Sequence, residues 1–259
     1  MNKGCDNMKP ALVFPYLPSG KVTKAITSGE ASEEILNSLR KLGIEIILTE
    51  PHPLLPSPLS YHVDMQMVNI DEGVFVYAPG VSKNTLEELD NLGFELIRGS
   101  CEPKDRYPFD VAYNCAIVGK NAFLNPKYTD PIVLELLVKN NIKLNPVKQG
   151  YAKCSTAVVS DEALITADPN IYKKAVEAGL DALLIPPQKN IILRGYDYGF
   201  IGGCSGLISN KEIAFFGDLY SLDAGKDIIN FCQKHGKEPV SLAKGNLADL
   251  GGLFPLTSV

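Results

Sequence analysis

Apolar positions along the chain switch between two periods, and the switch recurs. Five times a segment with apolar residues at helical spacing closes on a Gly or Asn and leads into an extended apolar segment. Ser38–Gly43 leads into Ile44–Leu48, Leu89–Gly93 into Phe94–Ile97, and Leu137–Asn141 into Ile142–Leu144. Val176–Gly179 then leads into Leu180–Ile185, and Cys232–Gly236 into Glu238–Leu242. Gly or Asn at the junction suits the left-handed residue that ends a helix. Ile35, Leu36, Leu39 and Leu42 keep helical spacing, as do Leu86, Leu89 and Leu92. Asp130-Pro131 and Asp168-Pro169 each set a capping carboxylate before a first-turn proline.

Ahead of four of these helices the period drops to two, with a short polar turn in the middle, which predicts hairpins. They pair Met65–Ile70 with Val74–Ala78 across Asp71-Glu72-Gly73, and Tyr113–Val118 with Ala122–Asn125. The next two pair Cys154–Val159 with Ala163–Ala167, and Cys204–Ile208 with Ile213–Gly217. The unit is strand–strand–helix–strand, repeated every ~40–50 residues, the range of stacked repeat architectures. The first helix has one strand before it, Ala11–Leu17, and the chain end supplies another, Leu253–Leu256. The expectation is an α/β fold in which N- and C-terminal strands jointly complete one unit. That would close a five-fold pseudosymmetric propeller, with residues 1–259 as a single domain and few open sheet edges.

Composition narrows the function. The chain has 259 residues, 45% hydrophobic and 21% charged, with a net charge of −5. An acidic balance argues against a nucleic-acid partner, whose phosphates need a basic face. No apolar run approaches the ~20 residues of a membrane span, and the opening Met1–Cys5 carries no signal-peptide core. A cytoplasmic protein is expected. The six cysteines (Cys5, Cys101, Cys115, Cys154, Cys204, Cys232) form no C-x-x-C pair and are read as free thiols, with no metal site and no cofactor.

Several residues stand out chemically. On a strand, His62, Asp64 and Gln66 share one polar face opposite Val63, Met65 and Met67. Cys154 and Cys204 occupy nearly the same repeat position, each followed by Ser, so one or both are small packing residues or one is a nucleophile. Asp110 is a weaker candidate. Gly195–Gly203 is the most glycine-rich stretch; it lacks the strand-to-helix context of a nucleotide fingerprint, and its tyrosines either wall a pocket or pack a turn. Pro51–Pro58, with four prolines, reads as a rigid connection or a cover over a central pore.

His62-Val63-Asp64, Asn114-Cys115-Ala116-Ile117 and Lys153-Cys154-Ser155, in this order and unit spacing, resemble the pentein propeller of the guanidino-group-modifying enzymes, which include dimethylarginine dimethylaminohydrolase, arginine deiminase and agmatine deiminase. The resemblance covers nearly the whole chain at the level of pattern, in a circularly permuted order. Asp249-Leu250-Gly251-Gly252-Leu253 resembles that family's acidic-Gly-Gly-Asp strand, with the acid one position early and Leu253 in place of the second acid. In a strand such an offset turns the side chain to the other face unless a loop or bulge restores it.

What the resemblance implies is a hydrolase acting on a small guanidine or amidine through a covalent thiouronium. Cys154 would be nucleophile and His62 acid–base, with Asp64, Asp249, Gln66 and Asp197 holding the substrate. An amidinotransferase would differ in the acceptor alone. The alternative is a degenerate pentein serving as a binding platform for a small molecule or a protein. A homodimer is left open.

Overall fold

Each sequence unit becomes one three-stranded sheet with a helix in its crossover. The computed structural model describes residues 12–71 and 73–259; Cys5, Ala11 and Glu72, named above, lie outside the described residues. A hairpin of β1 (Leu12–Phe14) and β2 (Leu17–Pro18) comes first. The first unit then holds β3 (Val22–Ser28), α1 (Glu33–Lys41) and β4 (Glu45–Thr49). The second holds α2 (Val63–Gln66), β5 (Met67–Asp71), β6 (Val74–Tyr77), α3 (Lys83–Asn91) and β7 (Glu95–Arg98). The third holds β8 (Ala116–Val118), β9 (Asn121–Leu124), α4 (Pro131–Lys139) and β10 (Lys143–Pro146). The fourth holds β11 (Thr156–Val158), β12 (Ala163–Thr166), α5 (Pro169–Glu177) and β13 (Asp181–Leu184). The last stretch contains β14 (Ile191–Ile192), β15 (Ser205–Leu207), β16 (Glu212–Phe215), α6 (Gly225–Lys234), β17 (Glu238–Ser241), β18 (Leu247–Ala248) and β19 (Phe254–Ser258).

The sheets run β5-β6-β7, β8-β9-β10, β11-β12-β13, β15-β16-β17 and β19-β3-β4. In each, an antiparallel pair is extended by a strand parallel to the middle one. A parallel partner needs a long crossover, which the helix provides. The inner strands β8 and β11 are fully buried, whereas the outer β7, β10 and β13 are largely half-exposed. The C-terminal β19 pairs with β3, so chain start and chain end do share one sheet. The partner is Val22–Ser28, not the expected Ala11–Leu17, because Leu12–Phe14 folds back on Leu17–Pro18 instead.

The helix boundaries follow the local chemistry. Ser32, Ser82, Asp130 and Asp168 accept backbone N–H bonds at the starts of α1, α3, α4 and α5. At the far ends, Gly43, Gly93, Asn141, Gly179 and Gly236 all adopt positive φ, from 56° to 86°. The buried faces are those of the sequence period, such as Ile35, Leu36 and Leu39 on α1.

Neighbouring units meet through their inner strands: β11 lies against β8 on one side and β15 on the other, and β15 against β19. α2 packs on β3, and α4 on β5, linking the second unit to the first and third. Among the described residues no helix is long and apolar enough to cross a membrane.

One predicted strand starts differently. Residues 63–66 form a helical turn, with Met65 and Gln66 N–H both donating to His62 O (3.2 Å each), and the strand begins at Met67. His62, Asp64 and Gln66 therefore do not share a strand face. Gln66 Nε2 instead donates to Glu50 O (2.8 Å) and Ser60 O (2.6 Å), fastening the proline-rich segment.

Candidate functional site

The chain just ahead of four of the five inner strands turns toward one place. Asp64 and His62 lie before β5, Asn114 before β8, Cys154 before β11, and Asp249 before β19. All five are at least 97% buried. The Cys154 thiol donates to Asp64 Oδ2 at 2.9 Å. His62 Nδ1 stands 3.9 Å from both Asp64 Oδ1 and Asp249 Oδ1. His62 Nδ1 and Asp64 Oδ1 have no hydrogen-bond partner, though both are buried. Buried polar atoms are normally satisfied, and such exceptions mark functional sites.

Asn114, absent from the expected site residues, binds the group together. Its Nδ2 lies 3.1 Å from Cys154 Sγ and 3.1 Å from Asp64 O, and its Oδ1 accepts from Lys153 N (2.7 Å) and Cys154 N (3.2 Å). The signal in the sequence is positional: Asn114 precedes its inner strand as Cys154 precedes the next.

Asp249 reaches the site despite its early position. Parallel pairing of β14 with β18 ends at Ala248, so Asp249 opens a loop rather than a strand. Asp249 N–H donates to Ile192 O (2.9 Å), and its carboxylate accepts from Phe200 N (2.8 Å) and Gly251 N (3.2 Å). Gly251 at φ +75° packs on His62, where a Cβ would come within 2.6 Å of the His62 Cβ. Gly203 leaves room for the Asp249 carboxylate, which an added Cβ would strike. Leu250 and Leu253 are buried core residues.

Burial dominates the electrostatics of the thiol and of Asp64. Burial raises the Asp64 carboxyl to about 6, against the opposing pull of Lys153, His62 and the Cys154 hydrogen bond. Burial first, then the charges of Asp64 and Asp249, push the Cys154 thiol well above its ordinary value, opposed by Asn114. Lys153 points away from Cys154: its Nζ donates to Gly202 O (3.2 Å) and lies over the rings of Tyr16 and Phe254. Cys204 is turned into its own backbone, toward Phe200 O and Ile201 O (3.3 Å each), as a packing residue would be.

Cys154 and Asp249 open on a cavity of about 240 Å³. Tyr151, Tyr196, Tyr198 and Phe200 form much of its wall, with the exposed Asp197. The tyrosines of the glycine-rich stretch thus wall a pocket. Leu55 and Leu59 of the proline-rich segment pack with Met65, Leu193 and Cys154, so that segment covers the thiol. Tyr151 donates to the buried Asp110 at 2.7 Å, placing Asp110 behind the wall. Of the expected residues, Cys154, His62, Asp64 and Asp249 converge, Asp197 stands on the cavity wall, and Gln66 lies apart.

The ligand-type atoms of His62, Asp64 and Cys154 fall within 4.8 Å of one another. These sulfur, nitrogen and oxygen donors could also hold a divalent metal such as zinc.

Comparisons with known proteins agree on the fold. An inosamine-phosphate amidinotransferase (StrB1) from Streptomyces griseus superposes with a TM-score of 0.61 at 10% identity, over 97% of both chains. Agmatine deiminase from C. jejuni gives 0.53 at 9% identity, over 89% of this chain and 90% of that one. A dimethylarginine dimethylaminohydrolase gives 0.52 at 13%, over 85% of this chain and 92% of that one. A search of curated protein sequences returns no match. The profile of the "Family of unknown function (DUF6873)" matches residues 26–254, so the chain belongs to that family, and it has the fold of the pentein guanidino-modifying enzymes.

Proposed function

We propose that the protein is a cysteine-dependent enzyme acting on a small guanidine or amidine. The observation that carries this reading is the meeting of one buried thiol, one imidazole and two carboxylates beside a cavity that Cys154 and Asp249 line. A planar cation set between Asp64 and Asp249 would be held by charge-assisted bonds. Its positive charge would offset the Asp64 and Asp249 charges that raise the Cys154 thiol, favouring the thiolate.

The Cys154 proton passes by way of Asp64 to His62, and the thiolate attacks the planar carbon; the C–S bond forms as the C=N π pair moves onto nitrogen, and the carbon becomes tetrahedral. Collapse breaks a C–N bond; the amine leaves with a proton supplied by His62. In the hydrolase form, His62 takes a proton from water as its oxygen adds to the thiouronium carbon; the C–S bond then breaks and His62 returns that proton to the Cys154 sulfur. In an amidinotransferase an amine takes the place of that water.

We read the five units as a closed ring forming one domain, in circularly permuted order. Supporting this are the β19–β3 pairing and the run of inner-strand contacts from β8 through β11 and β15 to β19. A soluble, cytoplasmic enzyme fits the acidic composition.

Mapping of cysteine labelling by 2-chloroacetamidine, with 2-chloroacetamide as the uncharged control and each run with and without chelator, tests the function. Preferential labelling of Cys154 by the amidinium, reduced at least tenfold in His62→Ala or Asp64→Ala, is the expected result. Equal, slow labelling of several cysteines would overturn it and favour the binding platform. Labelling that appears only after metal is stripped would favour the metal site.

A further inference from the structure

We infer that the molecule occupying this site is a guanidine or amidine cation whose tail is apolar or aryl and carries no carboxylate, an inference that rests on the proposed function. The cavity beyond Cys154 is the space available to that tail. At about 240 Å³ it lies below the usual range for drug-sized ligands, so the tail is short.

Its wall is aromatic and acidic. Among the described residues that line it there is no Lys, Arg or His; its two acidic side chains are Asp249 and Asp197. The Tyr151 hydroxyl is already committed to Asp110 and is not free to donate to a substrate carboxylate. A substrate carboxylate here would lose its water, meet no cation and face two acids, each of which disfavours it. Aromatic faces reverse this preference. Tyr151 meets Tyr107 and Phe200 at a tilt, with centroid distances of 5.4 and 6.0 Å, and Phe200 meets Tyr198 edge-on at 5.8 Å. Such walls favour flat apolar groups and the delocalised cation itself.

The nearest rival is Arg194, which lines the adjoining cleft that shares Leu193 and Asp249 with this cavity. A carboxylate reaching across Leu193 would find it. The cleft is a separate concavity, and Asp197 stands on the cavity side.

Protection of Cys154 from 2-chloroacetamidine in the full chain decides between these. The competitors are benzamidine, n-butylguanidine and 4-guanidinobutyrate, the last being butylguanidine with a terminal carboxylate. Benzamidine and butylguanidine should protect at concentrations at least tenfold below 4-guanidinobutyrate. Asp197→Asn should narrow that gap, and Arg194→Gln should leave the order unchanged. Protection by 4-guanidinobutyrate equal to or better than butylguanidine, or its loss in Arg194→Gln, would overturn the inference while the enzyme reading stands. Failure of the amidinium reagent to single out Cys154 would instead bring down the enzyme reading, and this inference with it.

Discussion

One side-chain amide, that of Asn114, touches five atoms around the site: the Cys154 and Met65 sulfurs, the Asp64 carbonyl, and the amides of Lys153 and Cys154. Its carbonyl end faces donors and its amino end faces acceptors, so the orientation is dictated. Asn114→Ala strands buried donors, each at a cost of about 1–3 kcal/mol. The expected outcome is a matching loss in urea-unfolding free energy, together with slower amidinium labelling of Cys154. Asp64 sets a pH dependence on the same scale. Its folded value of about 6 lies above the ordinary carboxylate value, so between roughly pH 4 and 6 the folded chain holds a proton that the unfolded chain releases. Stability from this group is therefore full below that window and is lost as pH rises through 6, by about 1–3 kcal/mol. Urea titrations at pH 4, 5, 6 and 7 should show wild type falling relative to Asp64→Asn, whose uncharged amide has no such slope. A constant difference across that range would refute the assignment.

At the scale of elements, the site depends on turns rather than strands. Gly251 holds φ at +75° and lies against His62, while Gly93 holds +85° with nothing near its missing side chain. The pair separates backbone strain from crowding. Gly93→Ala should cost about 1 kcal/mol and leave labelling of Cys154 intact. Gly251→Ala carries the same strain and also displaces His62, so amidinium labelling should fall at least tenfold. The contrast also explains what the sequence disclosed. Gly43, Gly93, Asn141, Gly179 and Gly236 were legible because only a few residue types tolerate the left-handed helix end, and Asp130 and Asp168 because capping is local. Cys154, His62 and Asp64 were legible as rare chemistry at recurring positions. The helical turn at Val63–Gln66 was not, because its one turn is set by tertiary bonds such as Gln66 to Ser60 O, which leave no period in the sequence. Asn114 gives no such chemical signal, because its role exists only where the fourth unit lies beside the third.

On the scale of the whole molecule, the proposed ring predicts how it comes apart. In an open array of repeats each unit leans on its neighbours and the ends fray first. In a closed ring every unit has two neighbours, and the last strand, β19, is an inner strand of the first sheet. Loss of any unit then opens the whole. The chain carries its own reporters: Cys115 is fully buried beside β8, and Cys232 is fully buried on α6, two units away. Pulsed alkylation across a urea series, read by mass spectrometry, should give the same midpoint for both thiols. Phe254→Ala sharpens the test. Phe254 is fully buried in β19 and meets Tyr16 at 4.7 Å between ring centroids, so its removal should cost about 3–5 kcal/mol. In a ring that loss must lower both midpoints equally, although Cys115 lies in a different sheet from Phe254. If Cys232 became exposed well before Cys115, in wild type or in the variant, the units would be unfolding in series and the closed ring would have to be abandoned.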